Sequence, residues 1–142
     1  MIFHTRELDS KIYTDAIHIR KEVFVLEQEV PEELEFESEA ACIHFVSYLA
    51  GLPVATVRLL PLSSELGKIQ RMAVLSDYRG HYLGQTLMKE VELVAKNQGL
   101  ATLQLGAQLQ ALPFYEKLGY NVISEEFLDA NIPHKLMAKT LI

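Results

Sequence analysis

Tryptophan is absent from this 142-residue chain, and cysteine occurs once. The lone thiol, Cys42, has no partner for an internal disulfide, which excludes the disulfide-stapled scaffolds of small secreted proteins. A reducing cytoplasm is the expected compartment. No apolar run reaches the length of a bilayer span, and Met1-Ile2-Phe3-His4-Thr5-Arg6 lacks the regions of a signal peptide, so no membrane association is expected. Repeats and low-complexity tracts are missing as well. There is no G-x-x-x-x-G-K-[ST], and no G-x-G-x-x-G with an acid about 20 residues on, which argues against the common nucleotide-binding α/β classes. His4, His18, His81 and His134 show no metal-ligand spacing with cysteines or carboxylates, so no metal is expected.

What the chain does have is an ordinary globular composition, 49% hydrophobic and 23% charged, at a length suited to a single domain over residues 1–142. Its net charge of −6 is concentrated. Glu27, Glu29, Glu32, Glu33, Glu35, Glu37 and Glu39 fall within thirteen residues that contain no Lys or Arg. Such a negative field disfavours nucleic acid and attracts cations. It reads either as a solvated loop or as a surface that receives a cationic substrate. Cys42 lies in the apolar run 40–49 and reads as a packing residue.

The richest segment is Val74-Leu75-Ser76-Asp77-Tyr78-Arg79-Gly80-His81-Tyr82-Leu83-Gly84-Gln85-Thr86-Leu87. It reads as a strand end, a tight Arg/Gly turn and the first turn of an amphipathic helix. That geometry converges backbone N–H groups and the positive end of a helix dipole on one point, a seat for phosphate or pyrophosphate. Arg79 adds a fork of donors. The plainer reading is a strand-to-helix connection closed by Gly80 and Gly84.

Periodicity places strands at residues 2–7, 41–49, 54–60, 68–75, 100–105, 120–124 and 134–141. A helix spans 10–25, with Ile12, Ala16, Ile19 and Val23 on one face and Asp9 or Ser10 as its cap. Residues 27–39 form a loop or short irregular helix, and residues 50–53 close an antiparallel hairpin. Leu83, Leu87, Val91, Val94 and Ala95 define a second helix stopped by Gly99. Pro113 opens a third over 114–118. The order is β-α-β-β-β-α-β-α-β-β. The strand–helix–strand unit makes 68–75 and 100–105 a parallel pair, and a ligand crevice is expected where such strands part.

Three groups of residues carry a family likeness. They are Arg71-Met72-Ala73-Val74, then Tyr78-Arg79-Gly80-His81-Tyr82-Leu83-Gly84, then Ala107-Gln108 with Phe114-Tyr115-Glu116-Lys117-Leu118-Gly119-Tyr120. In this combination the chain resembles the GNAT-superfamily acyl-CoA-dependent N-acyltransferases. Arg20-Lys21-Glu22-Val23-Phe24-Val25-Leu26-Glu27-Gln28-Glu29-Val30-Pro31, followed by His44, is similar to small ElaA-type bacterial members. The resemblance implies an α/β (α+β) fold: a mixed, mostly antiparallel sheet, a central parallel pair splayed to hold CoA, and helices on both faces. It implies acetyl transfer from acetyl-CoA to a small, cationic primary amine. A GNAT-fold module that binds acyl-CoA without turnover is the alternative, and antiparallel sheet edges leave a homodimer open.

By the same resemblance, acetyl-CoA would contact Met72, Ala73, Val74, Arg79, Gly80, His81, Tyr82, Leu83, Gly84, Gln85, Gln108, Phe114, Tyr115 and Lys117. Tyr115 would protonate the departing thiolate, where the plain reading is a core tyrosine. Members often place a Glu on the strand at 68–75, but Gln70 and Arg71 stand here. His44, Glu27 and Glu33 are the remaining base candidates, His44 being equally readable as a half-buried structural histidine. Arg20, Glu27, Gln28, Glu33 and His134 are the candidate acceptor contacts. Tyr82 departs from the pattern, occupying a position where members carry Gly.

Overall fold

The computed structural model describes residues 1–30 and 38–141. Strand β1 (Ile2–Thr5) leads into helix α1 (Lys11–Arg20), which continues without a break into a π-helical turn, Lys21–Glu27. Ser10 caps α1, its Oγ accepting from the Tyr13 N–H at 3.2 Å. Strands β2 (Ile43–Leu49), β3 (Leu52–Pro61) and β4 (Leu66–Val74) follow as an antiparallel meander. Helix α2 (Leu83–Asn97) crosses to β5 (Thr102–Gln108), the short helix α3 (Leu112–Lys117) follows, and β6 (Asn121–Val122), β7 (Phe127–Asp129) and β8 (Ile132–Thr140) close the chain. The sheet order is β1-β2-β3-β4-β5-β8-β6, with β7 on the same edge of β8 as β6. Among the described residues, only β4 and β5 pair in parallel.

Expectation and structure differ at strand ends and at one element. The hairpin turn is Ala50-Gly51 alone, both at positive φ, so Leu52 and Pro53 already belong to β3. Strand β5 runs to Gln108, beyond the expected end at 105. The stretch before His134 is a second two-residue hairpin, turning on Ala130 (φ 50°) and Asn131 (φ 63°), with Asp129 opposite Ile132. All three β7 residues are exposed, so no alternation of burial marks the strand in the sequence. The turn signal is Asn131, which tolerates the left-handed conformation.

Neighbouring β2 residues show how the helices divide. Phe45 packs with Leu87, Val91, Leu103 and Leu105, whereas Val46 packs with Ala16, Ile19, Val23 and Ala73. Successive strand residues point to opposite faces, so α2 and α1 cover opposite faces of one sheet.

Two features open the sheet at its centre. Parallel pairing of β4 with β5 runs from Leu66–Thr102 to Ile69–Leu105 and stops there. Immediately beyond, Arg58 pairs with Gln70 but Thr56 pairs with Ala73, so Arg71 and Met72 together oppose Val57. This β-bulge puts Arg71 at φ 59°, a left-handed conformation that costs an L-residue about 1–2 kcal/mol. Bulges bend their strand, and here the bend falls where the parallel strands separate.

A buried charge cluster fixes the α1 face. The Glu39 carboxylate accepts from both terminal nitrogens of Arg20, at 2.9 and 2.6 Å, and from Arg58 Nη1. Arg20 and Arg58 are 1% and 2% exposed. Arg58 then donates through Nε and Nη2 to Gln70 Oε1, at 3.1 and 2.8 Å. Burial pushes the Glu39 carboxyl up, but Arg20, Tyr13 and Arg58 outweigh it and hold it below its ordinary value. A carboxyl depressed in the folded state stabilises the fold at neutral pH and loses that contribution as pH falls through its folded value. Glu39→Ala strands two buried guanidinium groups and is expected to cost about 3–5 kcal/mol. Calorimetric unfolding checks this, and the gap between wild type and variant should narrow on acidification below the ordinary glutamate range.

Candidate active site

A cavity of about 1070 Å³ passes through the opening between β4 and β5 and reaches both faces of the sheet. On the α2 face its wall comprises Met72, Leu83, Gly84, Phe114 and Tyr115. On the α1 face it is lined by Phe24, Glu27 and Gln28 from the π-helical turn and its end, by Lys68, Gln70, Gly106 and Gln108, and by Phe127 and His134 from the last hairpin.

The α2 side is built around an uncapped helix start. Tyr82 occupies the N-cap position at φ 61° and ψ 20°, and no side chain caps the helix. The first backbone bond of α2 is Thr86 N–H to the Tyr82 carbonyl, so the N–H groups of Leu83, Gly84 and Gln85 have no partner within the helix. All three residues border the cavity, as do Gly80 and Tyr82. The left-handed N-cap explains why glycine suits the Tyr82 position. Tyr82 is 77% exposed even though it borders the cavity. Gly84 sits close under the Phe114 ring: a Cβ there would lie 3.2 Å from it, so the ring would have to shift by a few tenths of an ångström.

Arg79 is held at the same turn. Its Nε donates to the Val74 carbonyl at 3.0 Å, and each terminal nitrogen donates to one oxygen of Glu27 at 2.9 Å. A guanidinium has five N–H donors, so two remain, one on each side of the fork. The Arg79 hydrogen bonds depress the Glu27 carboxyl, and both Glu27 oxygens are engaged. Tyr115 is 8% exposed and lies edge-on to Phe114 (4.9 Å) and Tyr120 (6.1 Å). Burial pushes its phenol up to about 12, so it remains protonated across the neutral range.

On the α1 side, Gln108 Nε2 donates to Gln28 Oε1 at 3.1 Å, tying β5 to the end of the π-helical turn. His134 pairs across from Gln108, stacks on Phe127 at 5.9 Å and meets the Ile132 carbonyl through Nδ1 at 2.6 Å. Gly106 leaves an opening below them. A Cβ there would lie 3.5 Å from Phe127 and 4.0 Å from His134.

Met72, Ala73, Val74, Arg79, Gly80, Tyr82, Leu83, Gly84, Gln85, Gln108, Phe114, Tyr115, Lys117, Glu27, Gln28 and His134 are thus brought to one cavity. His81 is exposed beside it and is not part of its wall. Arg20 and His44 lie in the buried cluster instead of the cavity wall. The His44 Nε2–H donates to the Glu39 carbonyl at 2.9 Å, and burial lowers its pKa. Arg20 spends its fork on Glu39. Glu33 lies outside the described residues. Sequence reasoning passed over Lys68, Gly106 and Phe127, and saw Gln70 and Arg71 only as non-bases. Gly inside an apolar strand is the signal that could have flagged Gly106.

A mixed sheet opened at one parallel pair, with an uncapped helix start on one side and a polar chamber on the other, defines the class. The acetyltransferase (GNAT) domain family matches residues 9–141, and the chain belongs to that family of enzymes. It is similar to the uncharacterized N-acetyltransferase YjcF of Bacillus subtilis (strain 168), 45% identical over 131 residues covering 88% of this chain and 90% of the relative. The structure is similar to that of Escherichia coli ElaA, with TM-score 0.83 and 29% identity over 98% and 97% of the two chains. It also resembles an acyl-CoA N-acyltransferase from Pseudomonas aeruginosa, with TM-score 0.86 and 26% identity over 98% of each chain.

Gly106 gives a test that separates stability from activity. Gly106→Ala removes backbone freedom from a strand interior and should stabilise by about 0.5–1 kcal/mol in chemical denaturation. The same methyl group would fill the space beneath Phe127 and His134 at ordinary contact distance, taking room from the opening, so acetyl transfer should fall on the order of tenfold. Loss of both together would mean that Gly106 serves only the packing of the sheet.

Proposed function

We propose that the protein transfers an acetyl group from acetyl-CoA to the primary amine of a small, cationic acceptor. The observation that carries this reading is the cavity that joins the two faces of the sheet at the parted β4–β5 pair. A thioester entering from one face would meet an amine entering from the other. Acetyl-CoA supplies an activated acyl carbon and a thiolate leaving group. The pyrophosphate fits the free N–H groups of Leu83, Gly84 and Gln85 and a remaining N–H of Arg79, with Lys117 on the same wall. Glu27 holds the Arg79 fork in place and Gly84 keeps the approach clear of a side chain. The edge of β4 from Met72 to Val74, unpaired on the β5 side, offers strand hydrogen bonds to the pantetheine amides. The Tyr115 hydroxyl, protonated at neutral pH, is the donor to the departing sulfur. Gln28, Gln108 and His134 line the acceptor chamber. A cytoplasmic setting suits the buried free thiol of Cys42.

Thiol release from acetyl-CoA with a panel of primary amines tests the reading. CoA binding without amine-dependent release would identify an acyl-CoA-binding module instead. Arg79→Ala removes a charged hydrogen-bonding group worth about 1.5–3 kcal/mol, so the CoA dissociation constant by calorimetry should rise roughly ten- to a hundredfold. An unchanged constant places the pyrophosphate elsewhere. Tyr115→Phe should lower single-turnover acetyl transfer by about 10²–10⁴-fold with acetyl-CoA affinity nearly intact. Wild-type single-turnover rates would leave Tyr115 as a packing residue.

A further inference from the structure

The acetyl-transfer reading leaves open what takes the proton from the incoming ammonium group. Among the described residues, the candidate bases Glu27 and His44 are already committed. Both Glu27 oxygens accept from Arg79. His44 is buried away from the cavity with Nε2–H given to a carbonyl. Gln70 lines the chamber, but its Oε1 accepts twice from Arg58. A guanidinium can only donate, so the Gln70 oxygen is spoken for and its amide can offer only N–H donors to the chamber.

His134 differs in each respect. A carbonyl can only accept, so the 2.6 Å contact with Ile132 O fixes the proton on Nδ1 and leaves Nε2 with a free lone pair. The stack on Phe127, with planes 24° apart, sets the orientation of the ring. Its Cδ2 edge, adjacent to Nε2, lies 4.0 Å from the position a Gly106 Cβ would take. Gly106 is the first β5 residue past the last parallel pair, Ile69–Leu105. The imidazole therefore stands at the mouth of the opening, on the acceptor side.

We propose that His134 Nε2 is the proton acceptor for the attacking amine, an inference that rests on the acetyl-transfer reading. The acceptor arrives as R–NH3+. Nε2 takes one proton and later passes it to solvent. The freed nitrogen attacks the thioester carbonyl, the C–N bond forms and the C–S bond breaks. A second proton passes from nitrogen to solvent as the amide forms, and the departing sulfur gains one from Tyr115, whose phenol is reprotonated from solvent. The net products are amide, thiol and one proton. The charged groups that line the same cavity as the imidazole are Asp129 on its own hairpin, Lys68 and Arg71 on β4, Lys117 on α3, and the Glu27–Arg79 pair.

The variant His134→Gln keeps size and polarity and removes the basic nitrogen. With whichever panel amine the wild type acetylates, kcat/KM for that amine should fall about 10²–10⁴-fold near neutral pH. The deficit should shrink as pH rises toward the pKa of the amine, because free amine needs no base. Acetyl-CoA affinity should stay within about twofold. A deficit that is the same at every pH, or no deficit, overturns the proposal, since packing and binding roles do not depend on protonation of the acceptor. Nitrogen-15 NMR of the imidazole at alkaline pH is the second arm. Protonated Nδ1 with bare Nε2 supports the assignment, and the opposite tautomer overturns it even if no amine is turned over. Failure of every amine with the expected tautomer counts against the acetyl-transfer reading alone.

Discussion

The Glu39 carboxylate is the tie on which the acceptor half of the molecule depends. It is shared by Arg20 at the end of α1 and Arg58 in the middle of β3, and Arg58 passes the connection to Gln70 on β4. A buried carboxylate between two guanidinium groups has little freedom to move, because any displacement leaves charge unsolvated in a medium that penalises it heavily. The register of α1 on the sheet is thereby fixed. That register sets where the π-helical turn ends, and so where Glu27 and Gln28 meet Arg79 and Gln108.

The opening of the sheet is a consequence of backbone geometry. Parallel strands that paired along their whole length would close the passage between the two faces. Here pairing stops at Ile69–Leu105, the Arg71 bulge bends β4 away, and Gly106 supplies no side chain to fill the space. Left-handed backbone at Arg71 and Tyr82 is an unfavourable choice for side-chain-bearing residues, and both border the cavity. Strain of this kind is characteristic of sites that the surrounding structure holds rigidly.

Charge is distributed over the site by pairing. Arg79 and Glu27 neutralise one another across the cavity wall, and the fork so held keeps two donors for an anion. The buried cluster absorbs Arg20, Arg58 and Glu39, which by type alone look like substrate-binding residues. The rest of the cavity wall carries the neutral Gln28, Gln70, Tyr115 and His134 together with the charged Lys68, Arg71, Lys117 and Asp129.

Local pattern by itself determined the element order apart from β7, the parallel pair, the cap of α1 to within Asp9 or Ser10, and the turn from Arg79 to Gln85. Each of these depends on neighbours in the chain: helical spacing of apolar residues, a cap within three positions, glycine beside a helix start. The likeness of Arg71–Val74 and Phe114–Tyr120 to the GNAT pattern was legible for the same reason. Tertiary structure decided the rest. His44 alternates with apolar residues and reads as half-buried, but only the approach of Glu39 shows that its Nε2–H is already committed. Arg20 and Glu27 are equally charged in the sequence, yet one is sealed in the core and the other faces the cavity, because α1 gives way to a π-turn between them. The β7–β8 hairpin escaped notice because its first strand buries nothing. Partners far apart in sequence, Arg58 with Gln70 and Phe127 with Gly106, are set by register and by an unpaired strand edge. Pairwise contacts of that kind leave no periodicity in the chain from which they could be read.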